Sequence, residues 1–312
     1  MKRLFYLFFC VLFFNATLAQ KDTIEFSTFA VKLDSIVVTA SKQGFDVEDF
    51  INMVQKDESF YRAFRNIRTL SYASDNHMEA FSKKGNLKAS YDSKTQQTSD
   101  GRCRTMETLD QVVTGKFYKR KKKYRYYTAK MYDRLFFTHG EVCETQRTEE
   151  ATGYDASNNL KGMSKHINEL KKLIFYPGQK ADVPFIGKKT AIFEEKMAKY
   201  YDFSISSKMY DSEIDCYVFL AQVKPTTKDS KTVIKHMETY FDKTTFQVIA
   251  RNYHLEHAGT MFDFDVKMDI KLVKIKDQYV PEFIHYDGRW DIPMKKPEIF
   301  KFDIKFYEYE KK

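Results

Sequence analysis

Glycine and proline are scarce in this chain, at 11 and 6 of 312 residues. A nucleotide-binding α/β sheet needs glycine-rich turns where its backbone approaches phosphate, yet no G-x-G-x-x-G turn and no Walker-type loop occurs. The G-x-S-x-G elbow of serine hydrolases is missing as well. Cysteine is equally sparse: Cys10, Cys103, Cys143 and Cys216 are the full set. No apolar run after residue 20 approaches the eighteen residues of a membrane-spanning helix, because Lys, Asp or Glu breaks each one within a few positions. Tryptophan occurs once, as Trp290.

Aromatic residues are abundant by contrast. The chain holds 28 Phe and 21 Tyr, a composition that suits pleated, half-buried surfaces and biases the fold towards β structure. The formal net charge is +9, which favours contact with anionic partners. The first nineteen residues decide where such partners are met. Lys2 and Arg3 open the chain, an apolar run from Leu4 to Phe14 follows, and Thr17-Leu18-Ala19 supplies small residues for cleavage. Such a run reaches only about 16 Å as a helix, roughly half a bilayer's hydrocarbon thickness. The expectation is a cleaved signal peptide over 1–19 and an exported, soluble protein over 20–312, periplasmic or extracellular. Nucleic acid is not an expected partner there. Cys10 lies inside the apolar run, so no lipidation cysteine follows the cleavage site. Three cysteines then remain, and an odd number allows at most one internal disulfide. Cys103 with Cys143 is the preferred pair, because both fall near the ends of neighbouring predicted strands; three buried thiols are the alternative.

The pattern along the chain predicts predominantly antiparallel β structure with a few helices. Lys32–Ala40 reads as a short strand. Val47, Phe50, Ile51 and Val54 recur at helical spacing, and Phe60, Phe64 and Ile67 continue it after the break at Lys56-Asp57-Glu58. Met78 to about Phe137 reads as several strands, and the polar stretch 149–161 as a loop that could divide the single large domain. A helix capped by Ser164 is expected to stop at Tyr176-Pro177-Gly178, with a shorter one over Phe193–Tyr200. Phe241–Phe246 reads as a hairpin turn. Beyond it Phe262, Phe264, Val266, Met268, Ile270 and Leu272 alternate with charged residues, and Phe300, Phe302, Ile304 and Phe306 do the same in a final strand. Such alternation means a sheet with one apolar and one wet face, hence antiparallel. A long meander of this kind either closes into a barrel or stays open around helices or an apolar ligand.

This order of elements resembles the outer-membrane lipoprotein carrier (LolA-like) family. The matching pieces are the Val47–Ile67 helices, the segment Tyr124–Phe137 read as a strand, and the run from Thr239 through the Asp242-Lys243-Thr244-Thr245 turn to Pro281. The resemblance implies an open or incomplete β barrel plugged by helices. It also implies a non-enzymatic protein that shields a lipid, an acyl chain or a lipoprotein. No cofactor is implied.

Three groups of residues are candidates for function. Phe262, Phe264, Val266, Met268, Ile270 and Phe302, with Trp290 at its mouth, would line an apolar groove if the sheet is left partly uncovered; otherwise they are core. Lys119, Arg120, Lys121, Lys122 and Lys123, together with Arg125, could hold lipid phosphates or an anionic membrane surface. The alternative is a solvated hairpin tip that discourages edge pairing. His254, Glu256 and His257 do not form a zinc motif, since only two of them share a strand face, so no metal is expected. Asp263, Asp265 and Asp269 share their face with Lys267 and Lys271, which reads as solvent exposure rather than paired catalytic acids. An exported hydrolase using carboxylate chemistry and an envelope scaffold are the alternatives to lipid binding. Oligomeric state is not legible.

Overall fold

The computed structural model describes residues 29–33, 36–40, 47–143, 169, 173, 175–176, 178–259, 263–291 and 296–310. The leader 1–19, the 149–161 stretch and most of the expected helix after Ser164 lie outside them. Among the described residues no helix is long and apolar enough to cross a membrane.

All strands among the described residues join one sheet. It starts with the hairpin β1 (Phe29–Leu33) and β2 (Ile36–Ala40), where a single strand had been expected. Strand β2 lies parallel to β7 (Tyr201–Tyr210). From there an antiparallel meander runs through β8 (Ile214–Val223), β9 (Ile234–Asp242), β10 (Val248–His257), β11 (Asp263–Ile275), β12 (Gln278–Asp291) and β13 (Glu298–Glu310). The sheet then returns to earlier chain: β13 pairs with β3 (Ser71–Phe81), followed by β4 (Leu87–Ser99), β5 (Cys103–Gly115) and the two-residue β6 (Val142–Cys143). The thirteen-stranded sheet ends in β1 on one side and β6 on the other, so it stays open. The fold is therefore the expected one: antiparallel β with a few helices, not closed into a barrel.

The alternating pattern explains which face the helices cover. On β11 Phe264, Val266, Met268, Ile270 and Leu272 are buried while the residues between them are not. The register of β11 against β12 shifts between Lys271 and Leu272, where β12 carries an extra residue. On β13 Phe300, Phe302, Ile304 and Phe306 are buried in the same way.

Two helices, α1 (Val47–Lys56) and α2 (Ser59–Asn66), precede β3, as their spacing predicts. The break between them has a local cause. The Asp57 carboxylate accepts the Ser59 N–H at 3.1 Å and the Phe60 N–H at 3.3 Å, so it satisfies the free donors that open α2. Phe60, Ala63 and Ile67 face inward, and α2 packs on β12 and β10. A buried cation holds this junction. Arg251, on β10, is 1% exposed; its guanidinium lies 4.2 Å from the centre of the Phe60 ring, and its Nε donates to Thr239 Oγ1 at 3.1 Å. Burial brings its pKa down to about 10.

A second element departs from the expected secondary structure. Tyr124–Phe137, read as a strand, contains helix α3 (Tyr127–Phe136). Its aromatic residues favour a strand locally, but Thr128, Ala129 and Tyr132 are buried at helical spacing. Tyr132 anchors it: the ring meets Phe302 edge-on at 5.0 Å and the hydroxyl donates to Asn76 Oδ1. The inner face of β3 and β4 is polar at this place, with Ser74, Asn76, Ser93, Thr95 and Gln97 buried. These groups satisfy one another, as in the 2.7 Å contact between Ser74 and Thr95. A four-residue helix α4 (Glu195–Ala198) lies within the expected Phe193–Tyr200 segment.

Candidate binding cleft

The basic run after β5 is a small hairpin pinned from below. Phe117 is fully buried, stacks on Tyr91 with ring centres 5.3 Å apart and meets Phe300 at 6.4 Å. Backbone bonds from Lys119 N–H to the Lys123 carbonyl (2.7 Å) and from Arg125 N–H to the Phe117 carbonyl (3.1 Å) close the loop above it. At the tip Lys121 and Lys122 adopt positive φ angles of 59° and 52°. The run is thus divided: Arg120, Lys121 and Lys122 form an exposed tip, whereas Lys119, Lys123 and Arg125 turn towards a cleft.

That cleft has a volume of about 1260 Å³ and lies between the hairpin, α3 and the chain entering β13. Helix α3 contributes Lys130, Asp133 and Arg134 from one face, as their spacing of three and four residues requires. Lys88, Lys116 and Lys296 complete the basic lining, which counts eight Lys or Arg side chains against two carboxylates. Tyr124, Tyr126, Tyr127 and Trp290 supply the apolar surface.

Both carboxylates are engaged within the fold. Glu298 Oε2 and Oε1 accept the Tyr127 and Thr128 N–H groups, each at 2.7 Å, which caps α3 from a strand 170 residues away. Asp133 Oδ1 accepts the Tyr124 hydroxyl at 2.7 Å and lies 2.8 Å from His139 Nε2. Burial, reinforced by this bond, holds the Tyr124 phenol far above its ordinary pKa, so it remains a neutral donor. The cleft therefore presents cations and aromatic rings, and both of its carboxylates accept hydrogen bonds from within the fold.

Trp290 links the cleft to the core. Its ring packs on Phe264 with centres 5.0 Å apart, and its Nε1–H donates to the Tyr286 hydroxyl at 2.7 Å. Tyr286 in turn stacks on Phe302 at 4.8 Å, nearly parallel. Gly288 makes this arrangement possible, because a Cβ there would come within 2.1 Å of the Tyr286 hydroxyl.

Among the described residues Phe264, Val266, Met268, Ile270 and Phe302 are all buried, with Tyr132 of α3 edge-on to Phe302. Phe262 lies outside the described residues. Trp290, by contrast, is half-buried and joins Lys119, Lys123 and Arg125 in the cleft. What the sequence reading did not find is the basic face of α3, and a helical reading of Tyr127–Phe136 would have put Lys130 and Arg134 together.

The remaining candidates are elsewhere. Cys103 is bonded to Cys143 across β5 and β6, while Cys216 is a buried free thiol. His254 Nε2 lies 2.8 Å from Asp265 Oδ1, and Arg289 pairs with Asp263 at 2.7 Å, both on the wet face of the sheet. Among the described residues the only cluster with metal-ligand spacing is Cys103, Glu141 and Cys143, whose two sulfurs are bonded to each other.

No protein-family model and no curated protein matches this chain. Comparison with solved structures finds similar chains at low identity. A DUF1329 family protein from Desulfovibrio piger is 10% identical, with a TM-score of 0.24 over 82% of this chain and 94% of that one. A LolA superfamily protein from Nitrosomonas europaea is 8% identical, with a TM-score of 0.22 over 81% and 91%. An outer membrane lipoprotein-sorting protein domain from Vibrio parahaemolyticus is 6% identical, with a TM-score of 0.28 over 82% and 92%. At such scores these likenesses carry no argument about function, so the functional reading rests on the cleft.

Proposed function

We propose that this is an exported, non-enzymatic envelope protein that binds a lipid, or the lipid part of a lipoprotein, by holding its anionic headgroup in the cleft. The observation that carries this reading is the lining itself, eight cations and four aromatic rings around about 1260 Å³. Clustered cations in a walled cleft focus their field on an anion more strongly than the same charges on an open surface. Lys123 and Arg125 meet a phosphate from the hairpin side, Lys130 and Arg134 from α3. Aromatic rings between these cations and the core suit the glycerol and first methylenes of an amphiphile. Trp290 rests on Phe264 and Tyr126 on Phe300, so the acyl chains start where the apolar face of the sheet starts. The engagement of Glu298 and Asp133 in hydrogen bonds supports binding over hydrolysis.

Native mass spectrometry of protein purified from its own envelope, with extraction of the bound material, tests the reading. The expected result is a co-purifying, phosphorus-containing amphiphile. Finding no apolar ligand, together with no uptake of fluorescent fatty-acid or anionic-lipid probes, would overturn it.

A further inference from the structure

The cleft uses Lys119, Lys123 and Arg125 and leaves the hairpin tip between them, Arg120, Lys121 and Lys122, without a role. All three tip residues are exposed, and among the described residues no carboxylate pairs with them. Guarding a strand edge does not account for them. Phe117, at the base of the hairpin, turns onto Tyr91 and Phe300 on the buried face of the sheet, and β5 carries no Lys or Arg after Arg104. The backbone is unusual at the same place: Lys121 and Lys122 both have positive φ, at 59° and 52°. Two successive left-handed residues ordinarily call for Gly, Asn or Asp, so lysine stands there against local preference, as residues with a task often do. A second turn lies at this end of the sheet. Ala89 pairs with Gly115, where the chain leaves β5 for the hairpin, and β4 is entered just before Ala89 from the turn that bears Lys83 and Lys84. Lys83, Lys84 and Leu87 are exposed, Leu87 at 51%. Lys88, next to Leu87, lines the cleft together with Lys119 and Lys123, so the tip and this turn both flank it.

We propose that the hairpin tip and the turn between β3 and β4 dock this chain on an anionic lipid bilayer, with the cleft held against its surface. Charge complementarity selects the occupant. Arg120, Lys121, Lys122, Lys83 and Lys84 carry one described ion pair between them, Lys83 with Asp291 at 3.7 Å, on a chain of net charge +9. Lysine ammonium groups are hydrated point charges on flexible stems, which suit the laterally mobile phosphates of a leaflet better than the fixed carboxylates of a folded partner. Leu87 beside them supplies an apolar side chain for the boundary between headgroups and acyl chains. Each Lys or Arg near an anionic leaflet strengthens partitioning about fivefold. The inference deepens the ligand reading and rests on it for one point only, that what the docked cleft takes up is a lipid of that bilayer.

Cosedimentation of the purified chain with large vesicles tests it, using phosphatidylcholine alone and an equal mixture with phosphatidylglycerol. The expected result is binding to the mixed vesicles only, weakened by salt. Arg120→Glu, Lys121→Glu and Lys122→Glu combined should lower the partition at least about a hundredfold, with an unchanged circular dichroism spectrum. Leu87→Ser should lower it a few-fold. The tip variant should still bind a soluble short-chain phosphatidylglycerol, and that separates docking from the cleft. Loss of the vesicles alone supports the tip, whereas a parent chain that binds vesicles but not the short-chain lipid overturns the ligand reading and leaves docking intact. No binding to the mixed vesicles would overturn the inference and assign the tip to an acidic protein. Equal binding to both vesicle types, or a tip variant that matches the parent, would overturn it as well.

Discussion

Glu298 closes the first turn of the helix that walls the cleft: its Oε2 accepts the Tyr127 N–H at 2.7 Å, while Oε1 takes the next N–H of the same turn. The first residue of the last strand thereby positions a helix from the middle of the chain, and with it the cations of Lys130 and Arg134. Replacing a side chain that caps a helix with alanine costs about 1 kcal/mol, somewhat more when the lost partner is charged. Glu298→Ala should lower the urea midpoint accordingly and weaken ligand binding, although it removes a negative charge from a cationic cleft. A purely electrostatic role would give the opposite sign for binding, so a titration of the variant separates the two.

Arg251 is the most demanding side chain in the core. Truncating a fully buried side chain that also donates to Thr239 Oγ1 and the Phe175 carbonyl costs about 2–5 kcal/mol. Arg251→Ala should destabilise the chain within that range, since it also removes the surface under Phe60. Arg251→Met, which keeps the volume without the charge, should be the milder change. Denaturant unfolding monitored by circular dichroism ranks the two.

The Asp242 turn carries a pH signature. Oδ1 accepts the Thr244 and Thr245 N–H groups at 2.7 and 3.1 Å, and Oδ2 accepts the Tyr279 hydroxyl at 2.8 Å. Burial pushes this carboxyl up, but those bonds outweigh it and hold the pKa below the ordinary value. A depressed folded-state pKa contributes stability that is present above the unfolded value of about 3.9 and is lost as pH falls through the folded pKa. Asp242→Asn should therefore be less stable than the parent at neutral pH, and the gap should close below about pH 4. A gap independent of pH would remove the ionised carboxylate from the account.

Gly288 should not accept a side chain. Gly288→Ala drives a methyl into the buried Tyr286 hydroxyl and breaks its bond to Trp290. Overpacking of this kind costs about 1–3 kcal/mol. Because Trp290 is the only tryptophan, the variant's emission spectrum reports the disturbance directly.

Much of the fold was legible because side-chain alternation is a strong signal. Phe264 to Leu272 and Phe300 to Phe306 announce both their strands and the face that is buried. On β10 Ile249, Arg251, Tyr253 and Leu255 share one strand face, but a charged residue on an apolar face is easily read as a fault in the pattern. Helix α3 was hidden for a different reason. Its tyrosines and phenylalanines have strand propensity, and what makes it a helix is a cap on Glu298 and a polar partner on Asn76, both distant in sequence. The cleft inherits that difficulty. Lys119, Lys123 and Arg125 stood out as a charge run, and Trp290 as a lone aromatic, yet their meeting depends on where α3 sits. For Phe264 and Ile270 alternation tells which face is apolar and not what lies over it.

The single tryptophan also gives the most direct test of the central claim. Trp290 emission is followed while a short-chain phosphatidylglycerol is titrated below its micelle concentration, at low and high salt. Binding in the cleft predicts a saturable spectral change that salt weakens. Lys123→Glu, Arg125→Glu and Arg134→Glu combined should reduce affinity by at least about tenfold, given roughly 1 kcal/mol per basic residue near an anionic lipid. A variant with Lys121→Glu and Lys122→Glu, at the hairpin tip outside the cleft, should retain it. No change in Trp290 emission, or equal binding by the cleft variant and the parent, would contradict the account.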